Sequence, residues 1–343
     1  MHPFRPTTAA LGLAALLGLP AAHAEERLVV LASFSILADM VENVGGEHVE
    51  VTALVGPDSD AHVYSPSPTD ARALGEADLV VFNGLQFEGW MERLVASSDF
   101  DGPRVVASDG IEAVSEEEAH DHDDHDHDDH DDRGDGGHEG HDHGDQDPHG
   151  WQDLGLGRVY VANIRDGLIE ADPDNAEAYE ANAERYLEEI AEADAEIREL
   201  LGEIPRGTSV ITGHDSFGHF DRAYGLRFLS PAGLSTDVDP SAADMAELID
   251  LIREQEVRAL FEENMTSPAT IEQLAEETDL PIAGTLYSDA LAAEGEADTW
   301  LGMMRHNAET LHDALAEPDH DDPGHDDDHD HDHDHDHDHD HDH

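Results

Sequence analysis

Eight short apolar runs, four before and four after a long stretch without a helix breaker, constrain this chain more than any other feature. The first four are "RLVVLAS" (Arg27–Ser33), "VEVTALV" (Val49–Val55), "ADLVVFNG" (Ala77–Gly84) and "RVVAS" (Arg104–Ser108). The second four are "TSVITG" (Thr208–Gly213), "LRFL" (Leu226–Leu229), "VRALFEE" (Val257–Glu263) and "LPIAGTL" (Leu280–Leu286). Runs this short and this rich in Val and Leu read as parallel strands buried on both faces. Between the first two, "SILADMVENVGG" has helical spacing and stops at Gly45-Gly46. Helices are also predicted over Ser241–Gln255 and Ser267–Thr278. Alternation of strand and helix is the signature of βαβ units and a parallel sheet.

The separating stretch has neither Gly nor Pro from Asn175 to Leu201 and carries apolar or Ala residues at helical spacing. At 1.5 Å per residue it spans about 40 Å, more than one small domain needs. The chain therefore reads as two α/β lobes of similar strand count flanking one long helix. Ligands are expected between such lobes, at the carboxyl ends of the strands.

The first 24 residues stand apart. Arg5, the apolar run Ala9–Leu19 and the small-x-small ending Ala22-His23-Ala24 form a secretory leader, with cleavage expected after Ala24. No other apolar run approaches the ~18 residues of a membrane-spanning helix. The sequence has no cysteine. That excludes disulfides and thiolate metal sites, and it points to a periplasmic protein without a lipid anchor. A zinc or copper site here must be built from His and carboxylate.

Two segments carry no large apolar residue to bury and are expected to be disordered without metal. Residues 115–147 contain eight histidines, and residues 317–343 contain ten, ending in strict His-Asp alternation. They account for −15 and −14 of the net charge of −67, leaving −38 on the remainder. Every basic residue is Arg. An acidic, lysine-free surface fits adaptation to high salt, where screening removes self-repulsion. It argues against nucleic acid or anionic membrane as a partner. The expected division is a leader at 1–24, an N-terminal lobe at 25–162 that includes the His/Asp-rich loop, a linking helix at 163–204, a C-terminal lobe at 205–316 and a tail at 317–343.

With the repeats set aside, the mature folded part keeps His48, His62, His149, His214, His219, His306 and His312. His62 lies in a loop after the second strand, where a solvated histidine is equally natural. His149 follows Pro148 and precedes Trp151, and reads either as the last histidine of the run or as an ordered residue against an apolar wall. His214 directly follows "VITG", so it points into the cleft. His219, five residues on, reads as packing or support. Asp289 follows the last strand, a position that also suits a helix cap or turn. Taken together, three imidazoles and one carboxylate make a tetrahedral, nitrogen-rich set that suits Zn²⁺ better than Mn²⁺.

Seven motifs in order carry a family resemblance: "SFSILADMVENVGG", "AHVYSPSPTDARAL", "ADLVVFNGLQFEGWMERL", "DPHGWQDL", "DPDNAEAYEANAERYLEEI", "GHDSFGHFDRAYGL" and "LYSDAL". Over about Glu25 to Ala316 the chain resembles the metal-specific solute-binding proteins of ABC transporters (cluster A-I), most closely the zinc branch of ZnuA and AztC type. The resemblance implies a periplasmic metal-binding protein fold: two lobes, each with a mainly parallel four-stranded sheet flanked by helices, joined by one rigid helix. It implies Zn²⁺ held by His62, His149, His214 and Asp289 and delivered to a membrane permease with a cytoplasmic ATPase. A monomer is expected, with a periplasmic zinc chaperone as a further partner. His at the third position, where manganese-selective relatives usually have Glu, supports zinc; Glu263 falls beside the cleft. A manganese-binding homologue is the alternative, as is a zinc buffer that works through the His-rich segments.

A hydrolase is disfavoured. "HDHDDH" at 120–125 matches a metallohydrolase pattern, but a His-Asp repeat generates that match by chance. Four protein ligands also leave no open position for a catalytic water.

Overall fold

The computed structural model describes residues 27–111, 146–238, 240–255 and 257–316. The expected leader, the tail and all but the last two residues of the His/Asp-rich loop lie outside these.

Each lobe has one four-stranded, fully parallel sheet. In the first, β1 (Leu28–Phe34), β2 (Val49–Val55), β3 (Leu79–Phe82) and β4 (Arg104–Val106) stand in the order β2-β1-β3-β4. In the second, β5 (Ser209–Ile211), β6 (Arg227–Leu229), β7 (Ala259–Glu263) and β8 (Ile282–Leu286) repeat the arrangement as β6-β5-β7-β8. All eight expected strands are present, most of them shorter than their apolar runs. In both sheets the winding direction reverses beside the first strand, and that is where side chains at the strand ends can converge on a ligand.

The helices are α1 (Ser35–Gly45), α2 (Pro68–Glu76), α3 (Met91–Ser97), α4 (Leu154–Ala171), α5 (Ala176–Leu201), α6 (Gly218–Tyr224), α7 (Ala242–Glu254), α8 (Ala269–Thr278) and α9 (Trp300–Leu315). Local chemistry starts several of them. Ser67 and Asp70 form a capping box at α2 with Pro68 in its first turn, and Ser241 and Asp244 do the same at α7.

The long helix α5 buries Tyr179, Ala183, Tyr186, Ile190, Ala193, Ile197 and Leu201, a stripe spaced by three and four. That stripe packs on α1 of the first lobe, on α4 and on α9 of the second. The segment 163–204 is not one helix. It begins inside α4, breaks at Asp172 with a 3-10 turn over Pro173–Asn175, and continues as α5. Pro173 lacks the N–H that a continuous helix would need, which accounts for the break. Helix α4 also approaches the second lobe closely: a side chain at Gly157 would collide with the ring of Trp300. One hydrophobic core runs from Val30 in β1 through Tyr186 in α5 to Leu311 in α9, with a smaller cluster of α7 and α8 on the far face of the second sheet.

Candidate metal centre

Each site residue follows a strand. His62 lies midway along the loop between β2 and α2, His149 follows β4 across the His/Asp-rich segment, His214 lies three residues past β5, and Asp289 three past β8. The fold brings all four together, with one donor atom from each lying within 4.8 Å of the others. His62 Nε2 and His214 Nε2 lie 3.2 and 3.1 Å from Asp289 Oδ2. His149 Nε2 lies 3.4 Å from His62 Nε2 and 3.6 Å from Asp289 Oδ1. The three imidazole centroids form a nearly equilateral triangle, 5.4 to 5.6 Å on a side. Donors bonded to one ion at ~2.0–2.1 Å in a tetrahedron stand about 3.3–3.4 Å apart, close to these separations.

His149, His214 and Asp289 are buried, and the His62 side chain is 4% exposed. Asp289 Oδ1 has no hydrogen bond although it is buried, an arrangement that carries a desolvation cost unless a cation satisfies it.

The far nitrogens are held by carboxylates. Asp147 Oδ1 accepts the His149 backbone N–H at 2.9 Å and faces His149 Nδ1 at 2.8 Å, which sets Nδ1 as the donor and turns the Nε2 lone pair inward. Glu263 Oε2 contacts His214 Nδ1 at 2.6 Å, outside hydrogen-bond alignment, and accepts the Ser288 hydroxyl at 2.9 Å. Glu263 Oε1 accepts the backbone N–H groups of Gly213 at 2.7 Å and His214 at 3.0 Å. Glu263 therefore touches the ring of His214 as well as lying beside the cleft. His219 is buried against Asp147, its Nε2 3.2 Å from the carbonyl and 3.5 Å from Oδ2.

The Trp151 wall is present, 5.3 Å from His149 between centroids, and it has a second use. Trp151 Nε1 and Gln152 Nε2 donate to the Ser288 carbonyl at 2.8 and 2.7 Å. The residues just after His149 thus fix the backbone that carries Asp289 in the other lobe. Sequence reading missed this clamp, and it missed Asp147, which composition assigned to the repeat. The Asp-x-His spacing was the available signal, since an Asp two positions before a residue commonly accepts that residue's backbone N–H.

Burial opposes charge on Asp289, yet the neighbouring imidazoles of His214 and His149 hold its pKa well below the ordinary carboxylate range. Burial opposes charge on His214 too, but Glu263 and Asp289 raise its pKa well above the usual value. At His62 burial wins and the pKa falls. At Asp147 burial is outweighed by the bonds to His149, and the pKa falls. Three buried carboxylates thus face three imidazoles, an environment that favours a cation, whether a proton on His214 or a metal ion.

The sequence family described as "Zinc-uptake complex component A periplasmic" matches residues 30–314. The chain belongs to this family. It is a family of ABC-transporter solute-binding proteins and not of enzymes, and the protein is the extracytoplasmic metal-binding component of an uptake system. It is 32% identical over 294 residues to the manganese-binding lipoprotein MntA of Halalkalibacterium halodurans, covering 85% of this chain and 90% of that one. It is 33% identical over 299 residues to MntA of Bacillus subtilis, covering 85% and 91%. The fold matches the periplasmic zinc binding protein TroA of Treponema pallidum with a TM-score of 0.74 at 28% identity, over 85% of this chain and all of that one. Among the described residues of this family member, no helix is long and apolar enough to cross a membrane.

Proposed function

We propose that the protein captures Zn²⁺ between its lobes with His62, His149, His214 and Asp289 and delivers it to a membrane permease driven by a cytoplasmic ATPase. The observation that carries this reading is the convergence of three Nε2 atoms on one buried carboxylate whose Oδ1 has no other partner. Three nitrogens and one oxygen at tetrahedral spacing favour zinc, and the affinity order places zinc above manganese at such a set. Manganese is the second reading, favoured by the names of the MntA relatives. Metal analysis of the purified protein, followed by competition between the two ions, separates them. Retention of manganese in the presence of equimolar zinc would overturn the zinc reading.

The relatives named lipoproteins differ from this chain, which has no cysteine to carry a lipid. A soluble periplasmic monomer is our reading, and recovery in the membrane fraction would refute it. The His/Asp-rich segments act as weak auxiliary zinc sites that raise the local ion concentration and serve exchange with a periplasmic zinc chaperone. Deleting residues 116–145 and 318–343, with Asp147 kept, leaves one tight site per chain. Loss of tight binding in that deletion would move the site into the repeats.

A further inference from the structure

Gly84, Leu85 and Gln86 all have positive φ, at 90°, 51° and 62°. Glycine enters that region freely, but in leucine and glutamine the Cβ crowds the following carbonyl. Such a turn persists only where its surroundings hold it. Here the holder is a buried carboxylate. Glu88 Oε1 accepts the Ser33 hydroxyl at 2.6 Å and the Asn83 backbone N–H at 2.7 Å, and Oε2 accepts the Gly84 N–H at 3.2 Å. Phe87 N–H closes the turn on the Gly84 carbonyl at 3.0 Å.

Two connections lead from this carboxylate to the converging histidines. The turn sets Phe87, whose ring lies 4.6 Å from that of His62, 4.8 Å from Trp151 and 5.9 Å from His149. Asn83 forms the second connection. Its Nδ2 donates to the Pro148 carbonyl at 3.0 Å, and its Oδ1 accepts the Tyr160 hydroxyl at 2.7 Å. Pro148 precedes His149, so the end of β3 is bonded directly to the backbone that carries one of the four groups.

We propose, resting on the reading of the site as a metal centre, that Glu88 is a positioning residue for it. By holding the left-handed turn and Asn83, its carboxylate fixes the ring of His62 through Phe87 and the backbone of His149 through Pro148. It touches none of the four groups. Glutamine is nearly the same size but keeps only one acceptor oxygen. With that oxygen on Ser33 and Asn83, its N–H₂ opposes the Gly84 N–H, so Glu88→Gln loosens the turn without emptying the space.

The test uses the full chain loaded with Co²⁺, whose visible absorption reports coordination geometry, together with zinc titration. Glu88→Gln is expected to weaken zinc binding about tenfold, in the range for groups that orient metal ligands, and to change the Co²⁺ bands. Adding Gln86→Gly, which relaxes the left-handed turn, recovers at least about threefold of the loss. Unchanged Co²⁺ bands in Glu88→Gln, or affinity within about twofold of wild type, would overturn the proposal. So would a loss that Gln86→Gly does not recover. If Glu88→Gln fails to fold, Asn83→Ala decides: altered bands support the positioning role and unchanged bands overturn it. A wild-type protein that takes up neither ion refutes the metal centre itself, a distinct outcome.

Discussion

Asp147 Oδ1 receives both the backbone N–H of His149 and the ring Nδ1, at 2.9 and 2.8 Å. Two contacts from one oxygen fix the orientation and the tautomer of that imidazole together. His219, packed against Asp147 from α6, keeps the carboxylate in place. Removing this oxygen leaves His149 free to rotate and to take the wrong tautomer. Asp147→Ala is therefore expected to weaken metal binding about 10- to 100-fold, measured by competition with a chelator. Affinity equal to wild type would show that His149 is oriented by packing alone.

His214→Glu places a third carboxylate beside two others. The ring it replaces lies 2.6 Å from Glu263 and 3.1 Å from Asp289. The metal-free variant is expected to melt earlier than wild type and to regain stability on adding metal, because the ion then separates like charges. Exchange of nitrogen for oxygen lowers the preference for zinc over manganese by about tenfold or more. An unchanged preference refutes the selectivity assigned to this position.

Metal capture should release protons at neutral pH. The pKa of His214 is raised well above its usual value by Glu263 and Asp289, against the opposing effect of burial, so the metal-free site holds a proton there. Calorimetry in buffers of different ionisation enthalpy counts the protons released, and a count of zero shows that His214 is already neutral in the metal-free site. The same shifts set the stability of the metal-free protein. The stabilisation from His214 is complete below the unfolded-state pKa of about 6.5 and is lost as pH rises through the raised folded-state value. That from Asp289, whose pKa is depressed, is present above the unfolded-state 3.8 and is lost as pH falls through the lower folded-state value.

Asp39 on α1 tests the junction of the lobes. Its Oδ2 accepts the Trp300 backbone N–H at 3.0 Å, where α9 begins, and the Tyr186 hydroxyl of α5 at 3.4 Å. Burial raises its pKa from 3.8 to about 6. A raised carboxyl stabilises the fold fully below 3.8, and that contribution is lost as pH rises to about 6. Asp39→Asn keeps an acceptor without the charge, so it should stabilise the protein by about 2 kcal/mol at pH 7. The gain should vanish below pH ~4. A lower melting temperature at pH 7 contradicts this.

Asp60 joins the lobes at the mouth of the site. Oδ1 accepts the His62 backbone N–H at 2.9 Å, and Oδ2 accepts the Thr236 hydroxyl from the facing lobe at 2.6 Å. Thr236 belongs to the loop that walls a cavity of about 590 Å³, with His62, Phe87 and Pro148 opposite. Thr236→Val keeps the shape of the side chain and removes the hydroxyl. Metal dissociation, followed by stopped flow with excess chelator, is expected to quicken about tenfold, with Thr236→Ser close to wild type. An unchanged rate in Thr236→Val would show that opening does not involve this bond.

The four converging residues were legible in the sequence for two reasons. His214 and Asp289 sit just past apolar strands, whose ends parallel α/β topology gathers at one crevice. His62 and His149 lie in loops beside a lobe edge and stood out through the family resemblance. The residues that orient them were not. Asp147 is compositionally part of an acidic repeat, and only its burial against His149 and His219 sets it apart. Glu88 and Asn83 lie in "FNGLQFEGW", where nothing in the sequence marks a left-handed turn at Leu85 and Gln86. The expected continuity of 163–204 missed the break at Pro173 for a different reason: one proline after an Asp is compatible with a helix start or a helix end, and packing of α4 on α5 chose both.

Hydrophobic periodicity and helix breakers are local properties, so the sequence by itself determined the eight strands and the uninterrupted stripe of α5. Its motifs, through the family resemblance, singled out His62, His149, His214 and Asp289. Which carboxylate faces which ring depends on contacts between residues as distant as Gly213 and Glu263, or Trp151 and Ser288. The tertiary structure decided those. Hydrogen bonds of buried polar groups are made across elements, and their partners follow from the packing of the two lobes on one helix.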